Sequence, residues 1–295
     1  MSFSQSALQG MEPQHFNALA AAAATLENPN LAARIADYAG APLNRVLALL
    51  PKAADKGLSK AAEVAMLRCL RTAIRTLDDK EERQPKTWLS SMAVGVTGGV
   101  SGLVGFAALP IELPVTTTLM LRSVAAIARH KGEDLSQPEP RLACVQVFGL
   151  GSRSSAGPAP GGPASGSRGD VGYFAARAVL SRLSGGAVAE LMQRGALQVS
   201  SPMAGSLVSE LVSRFSLVVS DRIAASAVPV VGAVGGATLN VIFMNHFQRI
   251  AGAHFTVRSL ERRYGFDTVH RHYRVALAQS QKPSAQTRAQ GPSRA

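Results

Sequence analysis

Apolar residues recur three and four positions apart along most of this chain, a spacing that places them on one side of an α-helix. One such stripe consists of Thr117, Leu121, Val124 and Ala128. A second consists of Leu58, Ala62, Met66, Cys69, Ala73 and Leu77. No segment of comparable length alternates apolar and polar residues with the period of two that a half-buried strand requires. The sequence therefore predicts an all-α protein, a multi-helix bundle.

Proline and glycine residues predict where individual helices begin and end. Pro202 follows Ser201 and is typical of a first helical position, whereas Gly132 and Gly265 follow apolar stripes and predict helix ends. Pro110 restricts the residue before it. We therefore expect Glu112 to lie in a break between two helices, where its carboxylate can cap the helix that follows.

One helical domain is predicted over residues 13–277. Residues 151–170 are rich in Gly, Pro and Ser and residues 278–295 have a similar composition, so both are predicted to be disordered, the first as a loop within the domain. The N-terminus lacks the basic and strongly apolar segments of a secretory signal, and no CxxC motif is present. These features predict an intracellular protein in which Cys69 and Cys144 are buried free thiols.

Two uncharged Gly-rich stretches, residues 93–111 and 227–240, predict two helical hairpins in the core. Small residues four positions apart clear one side of a helix, so that a second helix can approach closely. The packing candidates are Gly95, Gly98, Gly99, Gly102, Gly232, Gly235 and Gly236. Insertion of these hairpins into lipid is the alternative, although their small residues and prolines disfavour it.

Several enzyme motifs are absent from the sequence. There is no GxxxxGKS/T phosphate loop, no GxSxG nucleophile elbow and no HExxH metal motif. The candidates that remain for chemistry are Glu112, His246 and His254, which would suit a hydrolase. The two histidines are eight positions apart on one predicted helix, about 12 Å along its axis, which is too far for both to bind one metal ion. We predict neither a metal nor a cofactor.

The chain has 31 Lys and Arg residues against 19 Asp and Glu residues, a formal net charge of +12. This charge favours anionic partners. Near the C-terminus, arginines alternate with Tyr264 and Tyr273 after an uncharged stretch, which is typical of a surface that binds anionic lipid. The candidates are Arg258, Arg262, Arg263, Arg271 and Arg274. Internal ion pairs of these arginines are the alternative, and no nucleic-acid-binding module accompanies them.

The segments "ALPIELPVTTTLMLRSVAAIARHKGEDLSQPEPRLACVQVFGLG" and "PVVGAVGGATLNVIFMNHFQRIAGAHFTVRSLERRYG" resemble the EcsC family. The resemblance extends over residues 40–275. It differs from the family pattern at Glu112, where aspartate is expected, and at His130-Lys131, where a Tyr-Gly pair is usual. It implies a bacterial protein of a family named after an ABC-transporter operon, and it implies no reaction.

Together these features predict a non-enzymatic protein at the cytoplasmic face of the inner membrane. We expect peripheral attachment through anionic lipid or a membrane protein. A hydrolase that uses Glu112, His246 and His254 is the alternative. The sequence indicates neither an oligomeric state nor a specific ligand.

Overall fold

Every regular element in the described part of the chain is an α-helix. The computed structural model describes residues 10–28, 60, 62–72, 109–151, 172–194, 202–226 and 233–280. The helices are α1 Pro13–Glu27, α2 62–72, α3 Leu109–His130, α4 Pro138–Leu150, α5 Gly172–Arg194, α6 Pro202–Ser226, α7 Ala233–Tyr264 and α8 Phe266–Ser280. The prediction of an all-α bundle is confirmed for these ranges.

Helix α7 is the centre of the bundle, because it packs against α1, α3, α4, α6 and α8. An aromatic cluster fills its junction with α4 and α6. The ring of Phe148 lies 5.6 Å from that of Phe215 and 5.0 Å from that of Phe247. Because α7 is covered on so many sides, polar residues on its buried face must find partners within the protein.

The predicted apolar stripes are confirmed where the structure describes them. Thr117, Leu121, Val124 and Ala128 are all buried on α3. Ala62, Met66 and Cys69 are buried on α2, while Leu58, Ala73 and Leu77 lie outside the described residues. Cys69 and Cys144 are buried free thiols, and burial raises the pKa of each above its usual range. Both sulfurs are therefore protonated packing groups rather than nucleophiles.

The predicted helix break at Glu112 is wrong. Helix α3 begins at Leu109, so Pro110, Glu112 and Pro114 all lie within its first turns. Pro110 costs the helix little, since the first N–H groups of a helix have no intrahelical partner, whereas Pro114 lies inside the helix and removes one backbone hydrogen bond. The side chain of Glu112 lies outside the described residues.

The glycine-lined hairpins stay a prediction. Gly95, Gly98, Gly99, Gly102 and Gly232 lie outside the described residues, and Gly235 and Gly236 lie in the first turn of α7. In the ranges that the structure describes, no helix is both long and apolar enough to cross a bilayer.

The predicted loop also lies outside the described residues, except for Gly151, which is buried at the end of α4. Helix α8 continues to Ser280, past the predicted end of the domain at residue 277.

Candidate functional site

The polar residues predicted on one face of α7 do lie together on its buried side. His246, Ile250 and His254 are buried, and the side chain of Arg258 is only 13% exposed. Each polar member of this stripe contacts a different neighbouring helix or helix end. The stripe therefore connects α7 to its surroundings at successive turns.

His246 anchors the end of α4. Its Nε2 donates to the carbonyl oxygen of Gly151 at 2.7 Å, because a carbonyl oxygen can only accept. Gly151 must be small here, since an added Cβ would lie 2.7 Å from the ring of Phe247. The contact fixes the position at which the chain leaves α4.

His254 belongs to a second polar group, which joins α7 to α5. The Tyr173 hydroxyl lies 2.8 Å from its Nδ1, and Arg177 lies 3.5 Å from the same hydroxyl. Arg177 also forms two hydrogen bonds of 2.7 Å with the carboxylate of Glu261. Such a paired geometry fixes the orientation of the guanidinium plane.

Both Tyr173 and His254 are neutral in this environment. Burial raises the pKa of Tyr173 above its usual range. Burial, together with the Arg177 and Arg258 cations, holds the pKa of His254 well below its usual range. When the Tyr173 hydroxyl donates to Nδ1, its oxygen is free to accept from Arg177. In that arrangement Nε2 of His254 carries a proton, and it has no acceptor among the described residues.

The structure does not bring His246 and His254 to a common point. His246 meets the end of α4 and His254 meets α5, and the side chain of Glu112 lies outside the described residues. The hydrolase alternative therefore stays a prediction. The described ranges contain no group of three or more His, Cys, Asp or Glu side chains suited to a metal ion.

The end of α3 places a carboxylate against α7. The N–H of Gly132 bonds to the Arg129 carbonyl, and the N–H of Glu133 bonds to the Ala128 carbonyl. This pair of bonds is the Schellman motif, whose left-handed residue is Gly132 with φ of 82°. Gly132, which the sequence predicted as the end of this helix, thus places Glu133 next to α7.

Glu133 is the centre of an ion-pair group, which we call the Glu133 cluster: Glu133, Glu139, Arg258 and Arg262. Arg258 donates to Glu133 at 2.8 and 3.0 Å and to Glu139 at the same two distances. Arg262 donates to Glu133 and, at 2.7 Å, to the Lys131 carbonyl. Burial raises the pKa of Glu133, but the hydrogen bonds and charges of Arg258 and Arg262 outweigh it, so that the pKa lies below its usual range.

A cleft of about 390 Å³ opens beside this cluster. Its lining residues are Gly132, Glu133, Asp134, Glu139, Pro140, Arg258, Glu261 and Arg262. The arginines in it are already bound to carboxylates, as is Arg177 next to it. Internal ion pairs were the alternative predicted for Arg258, and its partners are Glu133 and Glu139, whereas the nearby Glu261 pairs with Arg177.

The remaining lipid-binding candidates lie nearer the surface. Arg263 is exposed, donates to Glu12 at 2.8 Å and lies 5.6 Å from the Tyr264 ring centre. Arg271 and Arg274 are exposed on α8. These three residues thus do not contact the buried carboxylate of Glu133, although all five arginines are close in sequence.

The exposed aromatic residue of this region is one that sequence reasoning missed. Tyr273, predicted as a surface aromatic, is fully buried and stacks on Tyr173 at 5.7 Å. Phe266 is instead 54% exposed. The position of Phe266 in the sequence could have predicted this exposure. It directly follows Gly265, which ends a helix, and a residue at such a corner has neighbours on fewer sides.

A family model described as the EcsC protein family matches residues 14–260. The chain belongs to the EcsC protein family. No curated protein and no solved structure matches it. The match in this EcsC protein begins in α1 and includes the polar face of α7 as far as Arg258. It ends before Arg262, so the exposed arginines and α8 lie beyond it.

Proposed function

We propose that this EcsC protein attaches reversibly to the anionic surface of a membrane through helix α8, without catalysing a reaction. The observation that supports this most directly is the state of Arg271 and Arg274. Both are exposed, and neither forms an ion pair or hydrogen bond with any residue in the described ranges. Their guanidinium groups are therefore available to the phosphates of lipid headgroups.

Arg263 is a third candidate for the same surface. Its partner Glu12 is about as exposed as Arg263 itself, with side-chain exposures of 46% and 56%. Ion pairs at such exposure contribute little to stability, so a lipid phosphate can replace the Glu12 carboxylate at small cost. Arg258 differs, because removing it from two carboxylates, one of them buried, would leave that buried charge with Arg262 as its remaining partner.

The expected strength of attachment is modest. A basic residue near an anionic leaflet contributes about 1 kcal/mol, and the attraction falls off within a Debye length. Three arginines therefore supply about 3 kcal/mol at most, and exposed Asp267 in the first turn of α8 offsets part of it. Such values predict a peripheral association that salt reverses. We place it at the cytoplasmic face of the inner membrane.

The test is sedimentation of the full-length protein with lipid vesicles. We expect binding to vesicles that contain anionic phosphatidylglycerol, none to pure phosphatidylcholine, and release by about 0.5 M salt. Arg271→Glu combined with Arg274→Glu should abolish binding. The matched control is Arg68→Glu combined with Arg71→Glu, which makes the same change in charge on the exposed side of α2. This control should still bind.

Four results would overturn the proposal. Equal binding to neutral and anionic vesicles would exclude an electrostatic attachment. Equal loss in the two double variants would mean that net charge, rather than α8, determines binding. If the protein binds native membranes but not pure lipid, and protease treatment of the membranes abolishes binding, its partner is a membrane protein rather than lipid. If it binds only duplex DNA, and tightly, its partner is nucleic acid.

A further inference from the structure

We infer that Phe266 is an aromatic anchor that enters the boundary between headgroups and acyl chains when α8 meets the membrane. This inference rests on the proposed function and adds to it a contact that charge cannot supply. It concerns residues 262–274, which we call the α7–α8 corner.

The backbone places Phe266 at an exposed turn between two helices. Helix α7 ends at Tyr264, Gly265 has φ of 80°, and α8 begins at Phe266. A Cβ added at Gly265 would meet nothing within 4 Å, so the corner faces open space. Among the large hydrophobic residues that the structure describes, Phe266 is the most exposed, at 54% against 46% for Val64.

The ring of Phe266 is supported from behind. It stacks on His270 with the ring centres 5.7 Å apart and the planes at 7°. It also lies edge-on to Phe174, at 5.7 Å and 86°. Phe174 itself is buried against Tyr273. A ring held in one orientation loses little conformational freedom on insertion, which favours binding.

The surroundings of the ring favour lipid over a protein partner. Three exposed arginines, Arg263, Arg271 and Arg274, lie within eight positions of Phe266 along the chain, against one exposed carboxylate, that of Asp267. An apolar ring beside basic residues is the arrangement by which helices lie in the interface of an anionic bilayer. One aromatic side chain buries roughly 150–250 Å², far below the area of about 1,000 Å² that a stable protein interface needs.

The test uses the full-length chain with tryptophan introduced at this position. The sequence has one tryptophan, Trp88, which is first replaced by phenylalanine. In the Trp88→Phe, Phe266→Trp protein, anionic vesicles should shift the fluorescence maximum to shorter wavelength, and lipids brominated on the acyl chain should quench it. Phe266→Ser should weaken vesicle binding about tenfold, as expected for partial burial of one phenyl ring. Val64→Ser, the matched control on α2, should bind as the wild type does.

The outcomes separate this inference from the proposed function. If the Arg271→Glu, Arg274→Glu variant loses binding while Phe266→Ser retains it and the introduced indole is not quenched, the arginines act alone and the anchor is excluded. If the wild type binds no anionic vesicle, the proposed function and the anchor are both overturned. A thermal unfolding curve for each variant confirms that the comparison is between folded proteins.

Discussion

Tyr173 forms hydrogen bonds and ring contacts with several neighbouring helices. Its hydroxyl meets His254 of α7, and its backbone N–H donates to Glu27 of α1 at 2.9 Å. Its ring stacks on Tyr273 of α8, whose hydroxyl also donates to Glu27. One residue at the start of α5 thus joins three other helices.

Removing the Tyr173 hydroxyl should destabilise the protein. In Tyr173→Phe, both ring nitrogens of the buried His254 would lack a partner, which should lower the free energy of unfolding by about 1–3 kcal/mol. The control is Tyr264→Phe, whose hydroxyl contacts His15 at 2.7 Å in a partly exposed position where water can replace it. Urea unfolding measures both, and equal losses in the two variants would contradict the role assigned to burial.

His254 should also make stability depend on pH. Its pKa lies well below the usual range in the folded protein, whereas the unfolded chain binds a proton near pH 6.5. The unfolded state therefore gains protons first as the pH falls. Below about pH 6.5 the free energy of unfolding should decrease by up to about 1.4 kcal/mol per pH unit from this residue.

The check is a comparison of the wild type with His254→Asn between pH 7.5 and 5.5. The variant should be less stable at the higher pH, and the difference should narrow as the pH falls. Parallel stability curves for the two proteins would exclude His254 as the source of the pH dependence.

At the scale of elements, the Glu133 cluster connects the end of α3 and the start of α4 to α7. The Glu133 side chain is 3% exposed, so Glu133→Gln would leave Arg258 and Arg262 without their buried counter-charge. We expect a loss of about 3 kcal/mol in unfolding free energy. Glu139 is 58% exposed, and Glu139→Gln should cost less than about 1 kcal/mol. Similar costs in chemical denaturation would show that the burial of Glu133 is unimportant.

The sequence predicted the parts of this structure that depend on neighbouring residues in the chain. The stripe through Leu121 and Val124 and the stop at Gly132 follow from helical periodicity and backbone geometry, which act over a few positions. The partner of Arg258 could not be predicted in this way, because Glu133 lies 125 positions away. Helical spacing alone would favour Glu261, three positions along α7, but the Glu261 carboxylate pairs with Arg177 of α5 instead.

The candidate lipid-binding surface could also be predicted from the sequence only in part. The run of arginines was visible in the sequence, but periodicity alone did not distinguish half-buried Arg258 from exposed Arg271 and Arg274. That distinction depends on which helices cover the end of α7. The same packing buries Tyr273 and exposes Phe266.

At the scale of the whole molecule, α8 completes the fold although it lies outside the family match. It packs against α1 and α7 and buries Val269, His272, Tyr273 and Ala276. A chain that ends at Gly265 would expose these contact surfaces, and we expect it to lose at least about 5 kcal/mol of stability or to aggregate. A chain that ends at residue 281, which lacks only the rest of the predicted tail, should melt as the full-length protein does. Equal melting temperatures for the two truncations would contradict an integral role for α8.

The central position of α7 has a consequence for the synthesis of this protein on the ribosome. Helix α1 packs against α7 and α8, which follow it by more than 200 positions in the chain. At a synthesis rate of about 5–20 residues per second, roughly ten seconds to a minute pass between the synthesis of α1 and that of α7 and α8. During that time its apolar face, with Phe16, Leu19 and Leu26, lacks its contacts with α7 and α8. The packing of α1 can therefore be completed only after α7 and α8 have emerged from the ribosome, and until then its apolar face is accessible to chaperones.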